Sequence, residues 1–291
     1  MHKAGFVNII GKPNAGKSTL MNLIIGEKLS IVTPKAQTTR HRIISILNGD
    51  NYQIVFSDTP GIIEPSYKMQ ECMMTFVEEA YKDADILIFL ADASEEPDIK
   101  NIPADLLSTK IPIILVLNKI DLSEQETVEK NLKKWQEIFP NAKQLAISAL
   151  RNFNVNSLTS LIVELLPESP PYYDKETLTD RSQRFFISEI IREKTLLLYH
   201  KEIPYCVEID VEEFKEDEKI IRISAIIYVV RSSQKMMIIG EGGRAIKRLG
   251  TDARKDIEEF LGKKVFLQLF VKVQKNWRDN TLLLKKFGYI K

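Results

Sequence analysis

Cysteine is scarce in this chain of 291 residues: there are two, Cys72 and Cys206. They lie far apart and match no metal or redox spacing. A disulfide framework is therefore not expected, and a reduced, cytoplasmic compartment is the simple reading. Histidine is nearly as rare, at three. In the C-terminal half only His200 and Cys206 remain of these two types, which offers little for a second catalytic centre. Long apolar runs are missing too. "ILIFLADA" and "IPIILVLN" fall far short of the roughly 20 residues a membrane-spanning helix needs. The N-terminus "MHKAGFVNIIG" enters a strand-like run directly, without a signal-peptide pattern. A soluble protein is expected. Internal repeats and low-complexity tracts are absent as well.

What is present is enough apolar material for full cores, at 44% of residues. The length suggests one large or two ordinary domains. The net charge of +1 hides a split. Residues 1–170 carry 17 basic and 21 acidic side chains, net −4, and residues 171–291 carry 24 and 19, net +5. Different partners for the two halves are expected.

The first half alternates strand-like and helix-like stretches. "FVNII", "RIISIL", "YQIVFS", "DILIFLAD", "IPIILVLN" and "AKQLAIS" are strand candidates. Several are apolar at consecutive positions, as in strands covered on both faces. Helical patterns over 67–82 and 124–139 fall between them, the latter with Ser123 as expected N-cap and Glu126 at capping-box spacing. Residues 42–48 and 52–57, joined by "NGDN", read as a hairpin that adds one antiparallel edge strand. The fold class expected is α/β: a mixed, mostly parallel six-stranded sheet with helices on both faces. "LLPESPPYYDKETLTDRS" breaks the pattern and reads as a linker. Beyond it the order changes to α-β-β-α-α-β: a helix over 181–199, strands over 203–214 and 219–230, two helices around "GEGG", and a final strand. Domains are expected at 1–168 and 181–291, with a linker over 169–180.

"NIIGKPNAGKST" carries the first chemistry. Gly11-x-x-x-x-Gly16-Lys17-Ser18 is the phosphate-binding P-loop spacing, expected by chance in on the order of one such chain in a hundred. A glycine turn between strand and helix is the plain alternative. Glycines let backbone N–H groups wrap an anion, and the following helix start adds partial positive charge. The expected cradle is Gly11, Asn14, Ala15, Gly16, Lys17, Ser18 and Thr19. Lys17 reaches the β/γ-phosphates and Ser18 binds Mg²⁺.

Three further stretches specify the nucleotide. In "SDTPGI", Asp58 can hold Mg²⁺ through a water, and the Gly61 N–H can meet the γ-phosphate. In "NKID", Asp121 can accept bonds from N1 and the 2-amino group of guanine, donors that adenine lacks in that arrangement. Asn118 would tie this loop to the P-loop, and the stem of Lys119 would cover the base. In "SAL", the backbone of Ser148, Ala149 and Leu150 would meet the guanine oxygen. Singly, each also reads as an ordinary exit from a strand. Together and in this order they resemble the GTPases of the translation-factor-related P-loop class, with GTP or GDP and Mg²⁺ as ligands. That resemblance implies a loop threonine on Mg²⁺, and "PKAQTTRHRI" supplies Thr39, chosen over Thr38. Ser18, Thr39 and Asp58 form the expected metal set, and Lys17, Thr39 and Gly61 the catalytic one. Ile62 stands where many GTPases place a water-orienting glutamine. The chain is similar in this to GTPases that use a potassium ion held partly by a P-loop asparagine. Asn14 matches that place, or simply fills a variable loop position.

In the second half, Gly240-Glu241-Gly242-Gly243 lies between two helices. The element order around it is similar to the bacterial KH domain, whose G-x-x-G loop clamps the backbone of single-stranded nucleotides. Residues 231–255 hold seven basic side chains against two acidic ones, a footprint for phosphates. Arg244, Lys247 and Arg248 join the loop as expected RNA contacts. A glycine helix break with a solvated basic face is the bland alternative.

A GTPase domain, a linker and a KH domain, with "KAQTTRHRI", "DTPGI", "GEGG" and "VQKNWRDNTLLLKKFGY", resemble one family over nearly the whole chain: the Era GTPases of bacterial ribosome assembly. The resemblance implies slow GTP hydrolysis stimulated by RNA, binding near the 3′ end of 16S ribosomal RNA, and help in maturing the 30S subunit. It also implies a cytoplasmic monomer with peripheral contact to the inner membrane. Two rivals stay open: a signalling GTPase whose second domain binds protein or membrane, and a GTPase domain serving a modifying enzyme. A nucleotide kinase is disfavoured by "NKID".

Overall fold

A computed structural model describes residues 1–99 and 102–290. The chain forms two compact units. The first comprises Met1–Ser30, Thr39–Ser66 and Gln70–Asp180; the second comprises Ile31–Thr38, Tyr67–Met69 and the chain from Arg181 onward.

The alternating pattern of the first half runs β1 (Lys3–Ile10), α1 (Lys17–Ile25), β2 (Ile43–Asn48), β3 (Tyr52–Asp58), α2 (Lys68–Lys82), β4 (Ile86–Asp92), α3 (Ala104–Ser108), β5 (Ile113–Asn118), α4 (Gln125–Ile138), β6 (Lys143–Ala146) and α5 (Val155–Leu165). The six strands are ordered β2-β3-β1-β4-β5-β6. Every neighbouring pair is parallel except β2 with β3, the expected hairpin with its edge strand. The consecutive apolar residues of β4 explain the layering. Ile86, Ile88 and Leu90 pack with Leu20 and Met21 of α1 and Leu158 of α5. Leu87, Phe89 and Ala91 point the other way, to Leu106 of α3 and Trp135 of α4. Strand side chains alternate in direction, so a strand covered on both faces must be apolar throughout.

Two local expectations are corrected in this unit. Ser123 does not cap α4. The cap position is Glu124, without a side-chain bond. The Ser123 N–H is taken by the Ile120 carbonyl of the preceding 3-10 turn, so the helix starts one residue later. The proline-rich stretch expected as a linker is strapped to the sheet. Gln53 is fully buried on β3, and its amide bonds Asn48 Oδ1 and the Tyr173 carbonyl while accepting from the N–H groups of Tyr172 and Tyr173. The Ile46 N–H donates to the Leu178 carbonyl, and the Thr179 hydroxyl to the Ile44 carbonyl. The strap thus covers the exposed edge of β2, which would otherwise present unpaired backbone groups.

The second unit contains α6 (Gln183–Leu198), α7 (Ile203–Cys206), β7 (Glu208–Glu216), β8 (Ile221–Val229), α8 (Ser232–Ile239), α9 (Arg244–Leu261), β9 (Val265–Val273) and α10 (Thr281–Lys286). Its sheet is ordered β7-β8-β9, antiparallel then parallel. The Ser182 side chain caps α6, accepting from the Phe185 N–H. The strand expected from residue 203 begins at Glu208, because Pro204 sits in the first turn of the short α7. Proline costs nothing there, since that N–H has no intrahelical partner anyway. One face of the sheet packs with α6, α8 and α9 through Ile187, Ile191, Ile238, Leu249 and Ile257. The fully buried Trp277 donates its indole N–H to the Cys206 carbonyl, and the Tyr289 hydroxyl donates to Glu208 Oε2 at 2.6 Å.

Candidate nucleotide site and nucleic-acid loop

In an open parallel sheet, ligands meet the carboxyl ends of the strands, beside the point where strand order reverses. Here β1 lies between β3 and β4, and the loop leaving β1 is the P-loop. Its glycines are dictated by space. A Cβ on Gly16, whose φ is +100°, would lie 2.3 Å from Asn118 Nδ2, and one on Gly11 would lie 2.2 Å from the Leu90 carbonyl oxygen. Asn14 has φ +61° and is exposed; Ala15 is buried beneath it. The first intrahelical bond of α1 runs from Leu20 N to Gly16 O. The N–H groups of Lys17, Ser18 and Thr19 therefore have no acceptor within the helix and suit an anion.

Lys17 is buried and curls into the loop, its ammonium donating to the carbonyls of Gly11 (3.1 Å) and Lys12 (2.8 Å). Burial pulls its pKa down to about 8, against the opposing pull of the Asp58 charge. Three oxygen ligands converge beside it. Ser18 Oγ donates to Asp58 Oδ2 at 2.7 Å and lies 2.9 Å from Thr39 Oγ1, which itself is 3.3 Å from Asp58 Oδ2. Two hydroxyls and a carboxylate are a donor set suited to a hard cation such as Mg²⁺. Burial pushes the Asp58 carboxyl up, while Ser18 and Lys17 pull it down. Thr38 is turned elsewhere, to the Thr33 hydroxyl and the Lys35 carbonyl. Gly61 backs onto the P-loop, where a Cβ would come within 2.7 Å of Pro13, and the Ile62 N–H donates to the Gly11 carbonyl.

The base-recognition candidates gather at the ends of β5 and β6. Asn118 is a two-sided staple: its Nδ2 donates to the Ala15 carbonyl and its Oδ1 accepts from the Ala149 N–H, both at 2.9 Å. Asp121 is exposed, and its Oδ1 accepts from Ser148 Oγ at 2.5 Å. Leu150 is exposed beside them. The Lys119 ammonium is not loose; it is 2.7 Å from Asp92 Oδ2.

In the second unit, Gly240, Glu241, Gly242 and Gly243 form a tight turn between α8 and α9. Gly240, Gly242 and Gly243 have φ of +73°, +58° and +76°. Arg244 pairs with Glu241, while Lys247 and Arg248 are exposed on α9. Met236 and Met237 are exposed on α8 next to the loop, at 66% and 51%.

The profile of the 50S ribosome-binding GTPase family matches residues 6–119, and that of the KH domain matches residues 202–278. GTPase Era of Thermoanaerobacter sp. (strain X514) is 45% identical over 292 aligned positions, spanning 99% of this chain and 97% of that protein. GTPase Era of Clostridium kluyveri is 46% identical, spanning 99% of this chain and 100% of its own. This chain belongs to the Era family of GTPases. Two crystal structures of the family align over its length. Era in complex with MgGDPNP and nucleotides 1506–1542 of 16S ribosomal RNA matches at a TM-score of 0.96 and 35% identity, covering 100% of both chains. A tyrosine-to-alanine variant of Aquifex aeolicus Era bound to GDP·AlF4⁻ matches at 0.93 and 34%, covering 99% of this chain and 100% of that one. The fold is accordingly a P-loop GTPase domain followed by a KH domain, and the activity is GTP hydrolysis. Among the described residues no helix is long and apolar enough to cross a membrane.

Proposed function

We propose that this GTPase binds 16S ribosomal RNA near its 3′ end through the KH domain and assists maturation of the 30S subunit as a nucleotide-dependent switch. The full-length likeness to an Era protein held with a GTP analogue and that RNA segment is the observation that carries this reading. The GTPase domain covers 1–168, the connecting stretch 169–180 lies against its sheet, and the KH domain covers 181–291. The chain works as a cytoplasmic monomer with peripheral contact to the cell membrane. Crosslinking to total cellular RNA with GTP or GDP bound tests the RNA assignment. Crosslinks should map to the 3′ end of 16S RNA and change with the nucleotide; crosslinks that ignore both would reject it.

In this reading the P-loop N–H groups and Lys17 hold the phosphates. Ser18, Thr39 and Asp58 hold Mg²⁺, Asp58 through a water, and the Gly61 N–H meets the γ-phosphate. When bound, the metal neutralises charge developing on the phosphate oxygens. Asp121 reads the guanine edge, the Lys119 stem covers the base, and the backbone of Ser148, Ala149 and Leu150 meets its oxygen.

The Ile62 side chain has no polar atom to orient water, and the separate task of neutralising charge on the phosphate falls to Lys17, Mg²⁺ and a further cation. In this reading Asn14 helps bind a potassium ion as that cation. Turnover should then rise when K⁺ replaces Na⁺ at equal ionic strength, since the two screen alike. Asn14→Ala should remove the K⁺ effect while sparing GDP affinity. Equal turnover in the two salts ends the potassium reading and leaves the nucleotide assignment intact.

The KH loop must let phosphates approach its backbone. A Cβ on Gly242 meets nothing within 4 Å, so Gly242→Asp adds charge without a clash. Asparagine there has the same shape and the same left-handed backbone cost, so Gly242→Asn is the matched control. One negative charge about 5 Å from a phosphate costs roughly 1 kcal/mol in water, about fivefold in affinity. Gly242→Asp should bind RNA about fivefold more weakly than Gly242→Asn in a filter-binding assay at moderate salt. Equal affinities would move the RNA site elsewhere.

A further inference from the structure

A lysine beside a base is useful only if its stem is where the base needs it. A free lysine carries about 2 kcal/mol of rotamer entropy, and fixing it on binding subtracts from affinity. Here that freedom is already removed. Asp92 is the last residue of β4 and lies opposite Asn118 of β5 in the strand register. Its Oδ2 is 2.7 Å from Lys119 Nζ. Its Oδ1 accepts from both the N–H (2.9 Å) and the hydroxyl (2.7 Å) of Ser94. With one oxygen tied to its own loop, the carboxylate cannot swing with the lysine; it directs it. The Asp92 side chain is 13% exposed and that of Lys119 30%, unlike a solvated surface pair. The Lys119 backbone is itself held in the left-handed region, at φ +66°. Both residues line one cleft with Pro13, Asn14 and Ala15 of the P-loop.

We propose that Asp92 is a positioning residue for guanine recognition: it anchors the Lys119 ammonium so that the lysine stem stands ready as a fixed wall for the base. The proposal rests on the reading that Lys119 covers the base. Burial alone would raise the Asp92 carboxyl. The Lys119 ammonium and the two Ser94 donors outweigh it and hold the group below its ordinary value, so the anchor is charged at neutral pH.

The test compares GDP with pyrophosphate as calorimetric ligands of the full chain, because pyrophosphate uses the P-loop but no base contact. Asp92→Asn, Lys119→Met and the double variant are measured together. Asp92→Asn should weaken GDP about tenfold, the cost of a lost charge-assisted bond, and leave pyrophosphate unchanged. In the Lys119→Met background, adding Asp92→Asn should do nothing further, since the two act through one contact. Should Asp92→Asn fold poorly, Ser94→Ala removes one of the two donors that hold Asp92 Oδ1, leaving the backbone N–H, and should give a smaller loss confined to GDP. Additive losses in the double variant, or a matching loss for pyrophosphate, would overturn the proposal by making Asp92 a structural residue. Lys119→Met that weakens GDP beside an unaffected Asp92→Asn removes the role of Asp92 alone. Lys119→Ala, which removes the stem itself, removes the base-cover reading and the proposal with it if GDP affinity is unchanged.

Discussion

Lys17→Ala is expected to raise the Kd for GTP by roughly 10²–10⁴. The Lys17 ammonium donates to the Gly11 and Lys12 carbonyls and sits beside a buried carboxylate. Phosphate oxygens offer it two or more charge-assisted bonds, each worth about 1.5–3 kcal/mol. At 1.4 kcal/mol per decade, their loss gives the stated range. The lowered pKa adds a second signature. Only the charged lysine attracts a triphosphate, and burial has brought its pKa down to about 8. A bound polyphosphate raises that pKa again, so binding takes up a proton once the free protein has lost it. Affinity is therefore full below about pH 8 and falls as pH rises above it. Titration calorimetry in buffers of different ionisation enthalpy measures both the Kd and the proton uptake. Lys17→Ala should lose affinity and also lose the alkaline limb. A variant that keeps the same limb would mean that another group produces it.

Much of this architecture is legible because the physics is local. "DILIFLAD" announces a strand buried on both faces, and β4 carries its apolar residues to both layers. The P-loop reads directly, since its glycines, lysine and serine are neighbours in sequence and the backbone there admits little else. Contacts between distant segments are harder. The Asp92–Lys119 pair joins residues 27 apart at the ends of adjacent strands, and an aspartate closing a strand is an ordinary way out of a sheet. The strap over the β2 edge reads as linker because its prolines and polar residues say only that it is neither helix nor strand. What holds it is a buried glutamine more than a hundred residues earlier. The start of β7 is misplaced for a different reason. "EIPYCVEID" is apolar enough for a strand, and nothing in its composition outweighs that until Pro204 is seen in the first turn of a helix. Thr38 and Thr39 are chemically alike, and only the fold separates the one facing Ser18 and Asp58 from the one facing Thr33.

Asp121→Asn should exchange guanine for xanthine. The carboxylate stands exposed at the mouth of the site, with one oxygen fixed by the Ser148 hydroxyl at 2.5 Å. That hydroxyl is in turn placed by the Ser148–Phe153 backbone pair, and the Arg151 N–H donates back to it. The carboxylate thus presents acceptors in a preset direction, which under the proposed reading meet the adjacent N1–H and 2-amino donors of guanine. An amide offers one acceptor and one donor. Against guanine, its donor faces a donor and one bond becomes a repulsion. Against xanthine, which carries an oxygen at position 2, the same donor finds an acceptor. Sites built around such a pairing reject the mismatched partner by roughly 10⁴–10⁵ in comparable cases. The wild type should therefore hydrolyse GTP and ignore XTP, and Asp121→Asn should do the reverse, with kcat/KM for the preferred nucleotide largely kept. Because the P-loop is untouched, pyrophosphate affinity should be equal in the two proteins, which separates a change of reading from a loss of fold. Ser148→Ala should shift both nucleotides in the same direction and switch neither, since it loosens the carboxylate without altering its acceptors. If wild type and Asp121→Asn bind GTP and XTP equally well, the base is read by other residues, and the roles of Asp121 and Ser148 both fall.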